Sequence, residues 1–199
     1  MTAVVELVVE SPAEPWSELG LHVVDDVAVV GSIAVRFVPG NRGLVAWGVA
    51  DCPQPVESID GLPTHHVDPV VPGAAGAGLG VVGWDHVVVM TSSLERTCAA
   101  IEAATGAPLK RIREAGPIRQ GFHRLGELIV EVVETDRHTG PQAAFWGFVW
   151  NVDDLDAVCT RLGPDLITPP KHAVQPGRRI ASVRASAGLG LPLALMTPP

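Results

Sequence analysis

The feature that most constrains this chain is a unit that occurs twice in its second half: a strand, a capped helix that follows at once, then further strands. In the first copy Trp84 to Thr91 is the strand. Ser92-Ser-Leu-Glu95 follows as a capping box, in which Ser92 and Glu95 satisfy reciprocal backbone N–H groups. Leu94, Cys98, Ile101 and, at the end, Thr105 fall at helical spacing, and Gly106 with Pro108 stops the helix. In the second copy Ala144 to Val152 is the strand and Asp153 the N-cap. Leu155, Val158, Cys159 and Leu162 share one helical face, and Gly163-Pro164 is the stop. Leu94 and Leu155 are equivalent, sixty-one residues apart. Three strands are expected after each helix, near 109–115, 118–125 and 127–135 in the first copy and 166–173, 178–185 and 191–197 in the second.

Ahead of this pair, residues 53–80 carry five of the eighteen prolines and the tract Gly73 to Gly80, a composition that reads as a flexible linker. Gly78-Leu-Gly-Val-Val-Gly83 matches a dinucleotide fingerprint, but a β-branched strand follows where a helix would have to receive the pyrophosphate, so the match is a linker entering a strand. Residues 1–52 read as an eroded third module. Val4 to Glu10 is strand-like, Pro12 to Gly20 is a short helix with Trp16 and Leu19 inward, and Val27 to Val38 and Leu44 to Ala50 alternate as strands. Such a piece is too small to bury a good core alone. It is expected to pack on the pair or on a second copy of the chain, giving a homodimer that covers its open sheet edge.

A net charge of −8 argues against electrostatic binding of nucleic acid or of an anionic membrane and leaves a small-molecule ligand as the expected partner. No run of about 18 apolar residues occurs, and Glu6 and Glu10 interrupt the N-terminal stretch, so a cytoplasmic protein is expected. Twelve Arg against two Lys, with abundant Ala, Gly, Val and Pro, suggests a GC-rich bacterial source. Cys52, Cys98 and Cys159 are odd in number and far apart and read as reduced packing residues.

The run Asp85-His-Val-Val-Val, a helix, strands ending Leu128-Ile-Val-Glu-Val-Val-Glu134, and then Phe145-Trp-Gly-Phe-Val-Trp-Asn-Val-Asp-Asp-Leu-Asp-Ala157 resembles the vicinal oxygen chelate superfamily of glyoxalase, bleomycin-resistance and extradiol dioxygenase proteins. The resemblance spans residues 81–199 and rests on order and spacing, so it speaks to fold more than to activity. It implies an α+β fold in which two βαβββ modules form a cup-shaped mixed sheet. It also implies one divalent metal ion held by residues on the first and last strands of each module. Strand parity tests that implication. An inward His86 brings Trp84, Val88 and Met90 with it, and an inward Glu131 brings Ile129 and Val133. In the second copy Gly147 stands opposite His86 in the alignment of the helix caps, the inward set is Phe145, Gly147, Val149 and Asn151, and the stretch Gly188 to Pro199 has no ionisable residue in any register. Half of the implied ligand set is missing.

His86 and Glu131 are therefore the candidate catalytic and metal-binding residues, as a residual metal pair, an acid–base pair, or a buried polar pair kept for structure. Trp84, Phe122, Arg124, Phe145 and Arg184 are the candidate substrate contacts. The last belongs to a group, Arg111, Arg113, Arg119, Arg124, Arg178, Arg179 and Arg184, that reads either as an anion clamp or as a solvated face. His123, His138 and His172 lie at turns where a side chain can complete a site, whereas adjacent His65 and His66 diverge. The resemblance implies a glyoxalase-like small-molecule enzyme of lyase or isomerase type with an incomplete metal site, or a non-catalytic binding or sequestering protein of the same fold. Extradiol chemistry is disfavoured because its iron needs two His and a carboxylate.

Overall fold

The computed structural model describes residues 1–53, 56–69, 73–74 and 77–199, so part of the Pro/Gly-rich stretch lies outside the described residues. Two mixed sheets and three α-helices occur among the described residues. The N-terminal half contains β1 (Ala3–Glu10), α1 (Glu14–Leu19), β2 (Val27–Gly31), β3 (Ile33–Val38), β4 (Gly43–Ala50), β5 (Ser58–Ile59), β6 (Leu62–His66) and β7 (Gly73–Ala74). The C-terminal half contains β8 (Val81–Thr91), α2 (Leu94–Thr105), β9 (Arg111–Ala115), β10 (Ile118–Leu125), β11 (Leu128–Glu134), β12 (Ala144–Val152), α3 (Leu155–Leu162), β13 (Lys171–His172), β14 (Arg179–Ser182) and β15 (Leu193–Met196).

The C-terminal sheet runs β13-β14-β15-β12-β8-β11-β10-β9. The first strands of the two modules, β8 and β12, meet antiparallel at its centre, and each takes the last strand of its own module, β11 or β15, as a parallel neighbour. This is a pair of βαβββ modules. Both helix starts differ by one residue from the sequence expectation. Ser93 caps α2 by accepting from the Arg96 N–H, and Asp154 caps α3 by accepting from the Ala157 N–H at 2.9 Å. The polar side chains just before the caps are spent elsewhere: Ser92 Oγ donates to the Gly140 carbonyl at 3.0 Å, and Asp153 Oδ1 accepts from the Asp154 N–H. Gly106 ends α2 at φ +71, donating to the Glu102 carbonyl at 2.8 Å in a conformation that costs a residue with a Cβ.

The N-terminal sheet runs β5-β6-β4-β1-β3-β2-β7. Its strand directions repeat those of the C-terminal sheet. An antiparallel centre, β1 with β4, is flanked by parallel β3 and β6 and then by antiparallel β2 and β5. Residues 1–52 thus hold one shortened module and the first strand of another. β5 and β6, inside the stretch expected to be a linker, complete the second because Ile59 and Leu62 are buried there. The two sheets also share a bulge. Val5 is an extra residue on β1 opposite β4, as Asp85 is on β8 opposite β12. Glu6 follows the first bulge as His86 follows the second. Arg36 lies opposite Val8 as Glu131 lies opposite Val88, and Arg36 bonds Glu6 at 2.8 Å.

One hydrophobic core joins the halves. Trp16 from α1 packs on Phe37 of β3 and on Phe148 and Trp150 of β12, with centroid separations of 5.3, 5.9 and 6.0 Å. The N-terminal sheet therefore backs the central strands β8 and β12 within the same chain and leaves their other face open. No helix among the described residues is long and apolar enough to cross a membrane.

Candidate functional site

The site begins with the bulge in β8. Val149 pairs with His86 and the next residue, Trp150, pairs with Trp84, so Asp85 has no partner of its own. A bulge of this kind re-aims side chains. It sets Asp85 beside His86, with Asp85 Oδ1 2.7 Å from His86 Nδ1, and reverses the parity of the residue before it. Trp84 consequently leaves the cup, contrary to the sequence expectation, and donates its indole N–H to the Val30 carbonyl at 2.8 Å.

β11 brings the second carboxylate. Glu131 sits opposite Val88, and its Oε2 lies 3.1 Å from His86 Nε2. Both imidazole nitrogens thus face carboxylate oxygens: Nδ1 is at hydrogen-bond distance from Asp85, and a proton shared between Nε2 and Glu131 would satisfy the second, longer contact. The outer ends of this chain of contacts are cationic. Arg178 Nη2 reaches Asp85 Oδ2 at 2.6 Å. On the other side Gln120 donates to Glu131 and accepts from Arg113 Nε at 2.8 Å, while the Arg113 guanidinium stands 4.0 Å from Glu131. Asp85 is 6% exposed and Glu131 8%. Burial pushes the Asp85 carboxyl up, but hydrogen bonds from His86 and Arg178 together outweigh it and hold the group below the usual carboxylate range.

His86 and Glu131 lie at the wall of an open cleft of about 790 Å³, within the range of small-ligand sites. Module one supplies Val88, Met90, Ile118, Gln120 and Val133; module two supplies Trp146, Val149, Ile180, Ser182 and Ala194; Arg137 and His138 also line it. Every ionisable group of this lining comes from the first module or the segment that follows it. His138 Nε2 is 2.7 Å from the Gln142 carbonyl.

The other sequence candidates lie elsewhere. Phe145 was expected in the cup, but a second irregularity in β12, between Phe145 and Gly147, turns it onto Trp47 of the N-terminal sheet at 5.3 Å and presents Trp146 to the cleft instead. Phe122 is opposite Glu131 but outside the lining, beneath the guanidinium groups of Arg111 and Arg113 at 4.6 and 5.5 Å. Arg124 points to a separate hollow with Met1 and Lys110. Arg184 donates to the Pro164 carbonyl at 2.7 Å. His123 is buried with Nδ1 on the Ala107 carbonyl, and His65, His66 and His172 are exposed on β6 and β13. Of the arginine group, only Arg113 and Arg178 join the buried network. Asp85 and Gln120 were missed; an Asp next to a His inside an otherwise apolar strand was the available signal.

The donor set does not fit the metal of the family resemblance. Register places Gly147 and Ala194 where the second module should supply ligands: Gly147 pairs with Val88 and Ala194 with Val149. Gly147 has no room for any side chain, because a Cβ there would stand 2.1 Å from the Pro192 carbonyl oxygen. Among the described residues no group of three or more His, Cys, Asp or Glu is placed to hold a metal.

Comparison of folds agrees with this architecture. The crystal structure of methylmalonyl-CoA epimerase from Mycobacterium tuberculosis superposes with a TM-score of 0.51 at 18% identity, covering 60% of this chain and 90% of that one. The chain carries the vicinal oxygen chelate fold. A Streptomyces coelicolor methylmalonyl-CoA epimerase in complex with 2-nitronate-propionyl-CoA (TM-score 0.49, 15% identity, 59% and 94% coverage) is also similar. So is a hypothetical protein from Bacillus halodurans (0.49, 11%, 58% and 94%). No protein-family model and no curated sequence matches the chain.

Proposed function

We propose that the chain is a small-molecule enzyme of lyase or isomerase type that moves a proton at a carbon next to a carbonyl group without a metal. The observation that carries this reading is His86 held between two buried carboxylates at the wall of a cleft large enough for a compact substrate. With the bridging proton on Nε2, Glu131 is a carboxylate base and His86 a hydrogen-bond donor. Glu131 Oε2 takes the substrate C–H proton, the C–H electron pair becomes the carbon–carbon π bond of an enolate, and the carbonyl π pair moves to oxygen, where Nε2–H donates. Return of the proton to a different atom is an isomerisation; expulsion of a group from the neighbouring carbon is an elimination.

The test is wash-in of deuterium from D2O, followed by proton NMR, over a panel of 2-oxo acids, hydroxyketones and 2-substituted malonyl thioesters, with the protein dialysed against EDTA. Exchange that persists without metal and falls by about 10²-fold or more in His86→Ala and Glu131→Gln supports the reading. Exchange that is absent across the panel, or unchanged in both variants, overturns it.

A second reading, a non-catalytic binding or sequestering protein, draws on the apolar side of the same cleft, formed by Val88, Met90, Val133, Val149 and half-exposed Trp146. Tryptophan fluorescence titration with apolar ligands separates the two readings, since a ligand recovered unchanged after binding favours it and turnover counts against it.

A further inference from the structure

Among the described residues Arg178 is the buried arginine, and the proton-transfer pair does not use it directly. Its Nε donates to the Thr197 carbonyl at 2.8 Å and its Nη2 to Asn151 Oδ1 at 2.5 Å, while Asn151 Nδ2 in turn donates to the Trp84 carbonyl at 3.2 Å. The guanidinium is thus tied to β12 and to the segment after β15, both in the second module, and reaches across to Asp85 in the first. A planar donor fork fixed on several sides holds its carboxylate partner in one orientation. Asp85 can occupy that place only because the bulge in β8 adds a residue there.

We infer that Asp85 and Arg178 are a positioning pair: Arg178 anchors Asp85, and Asp85 fixes the Nδ1–H tautomer of His86, leaving Nε2 as its proton-exchanging atom. An ionised carboxylate only accepts; Asp85, paired with Arg178 and closer to the ring at 2.7 Å than Glu131 at 3.1 Å, therefore keeps the hydrogen on Nδ1, and the hydrogen bond on one ring nitrogen decides what the other can do. The groups facing the imidazole are Asp85 on its own strand and Glu131 on β11, with Gln120 of β10 and Arg113 of β9 behind Glu131 and Arg178 behind Asp85. The second module, which has Gly147 and Ala194 at the ligand positions, acts in this arrangement through the guanidinium it sends across. The consequence for catalysis rests on the acid–base reading of His86; the tautomer itself does not.

The experiment is nitrogen-15 NMR of the imidazole ring, titrated from acid to alkaline pH on the intact, EDTA-dialysed chain, with the His86 signals assigned by their loss in His86→Gln. In the native protein Nδ1 is expected to keep its hydrogen after the bridging proton has left, with Nε2 moving to the unprotonated shift. In Asp85→Asn, whose amide donates to Nδ1, the hydrogen is expected on Nε2. In Arg178→Lys the Nδ1–H form is expected to persist as a mixture with the other tautomer. A native alkaline form with its hydrogen on Nε2 overturns the inference without recourse to any variant. So does an unchanged pattern in a folded Asp85→Asn. Failure of the deuterium wash-in with a confirmed tautomer overturns the enzymatic reading and leaves the positioning pair standing.

Discussion

Trp84 on β8 donates its indole N–H to the carbonyl of Val30 on β2 at 2.8 Å, so the strand that carries Asp85 and His86 is fastened from behind by the N-terminal sheet. The same indole packs edge-on against Phe148 and Trp150 at 5.3 and 5.5 Å. Replacing Trp84 by Phe keeps most of that apolar contact and leaves the Val30 carbonyl buried without this donor. The expected cost is about 1–3 kcal/mol, which for a chain of this size lowers the thermal midpoint by roughly 2–4 °C per kcal/mol. Calorimetry on the purified variant reads it, and an unchanged midpoint would show that the fastening contributes nothing.

Gly147→Ala is expected to destabilise the fold by about 1–3 kcal/mol through overpacking, since the added Cβ has the Pro192 carbonyl in its way. Ala194→Ser, facing the cleft from β15, is expected to stay within about 0.5 kcal/mol. Urea denaturation distinguishes them. The same crowding means that Gly147→His does not rebuild a metal site, and metal addition should leave its unfolding midpoint unmoved.

Acid sensitivity follows from Asp85. Its folded carboxyl titrates below the unfolded value, so the unfolded chain binds the proton first as pH falls. The stabilisation is complete above the unfolded carboxylate value of about 3.9 and is lost as pH drops through the folded value. Asp85→Asn should flatten this acid limb. His123 acts with the same sign at higher pH. Burial lowers its basicity, so below about pH 6.5 the unfolded state takes up a proton that the folded state resists, and stability falls. Unfolding midpoints measured at intervals of pH should show both limbs, with the upper one reduced in His123→Asn.

Thiol chemistry offers a separate check on the core. Burial, with Glu95 and Glu102 nearby, pushes the Cys98 thiol up to about 11, so at mildly alkaline pH it holds little of the reactive thiolate. Iodoacetamide followed by peptide mass spectrometry should find Cys98 unmodified in the native protein and modified once it is unfolded. Rapid native labelling of Cys98 would show that α2 does not stay docked on the sheet.

The paired modules were readable from the chain because caps, helix stops and β-branched strands recur at one spacing. His86 and Glu131 could be named together because parity within each strand survives wherever the ladder is regular. Parity fails at the irregularities. Asp85 is an added residue, so the alternation that placed Trp84 beside His86 was carried across a point where it reverses, and Phe145 exchanged places with Trp146 for a similar reason. No single-residue preference marks a bulge, since it depends on what the neighbouring strand offers. Arg178 could not be separated from six other arginines because its partners, Asp85, Asn151 and Thr197, come from distant parts of the chain. The N-terminal sheet reads as a remnant from sequence because its second unit has no helix among the described residues, and helices carry the strongest periodic signal.

The Glu6–Arg36 pair sits on the N-terminal sheet where His86 and Glu131 sit on the other. A symmetric assembly of identical subunits experiences every substitution twice, so a change that suits a supporting surface also damages the working one. Two sheets written into one polypeptide are free of that coupling. One can hold a fixed ion pair, while the other holds an imidazole between carboxylates. The tolerance of the chain to mutation should accordingly be lopsided, with conservative changes at Glu6 and Arg36 judged by folding alone and those at His86 and Glu131, under the proposed function, by turnover as well.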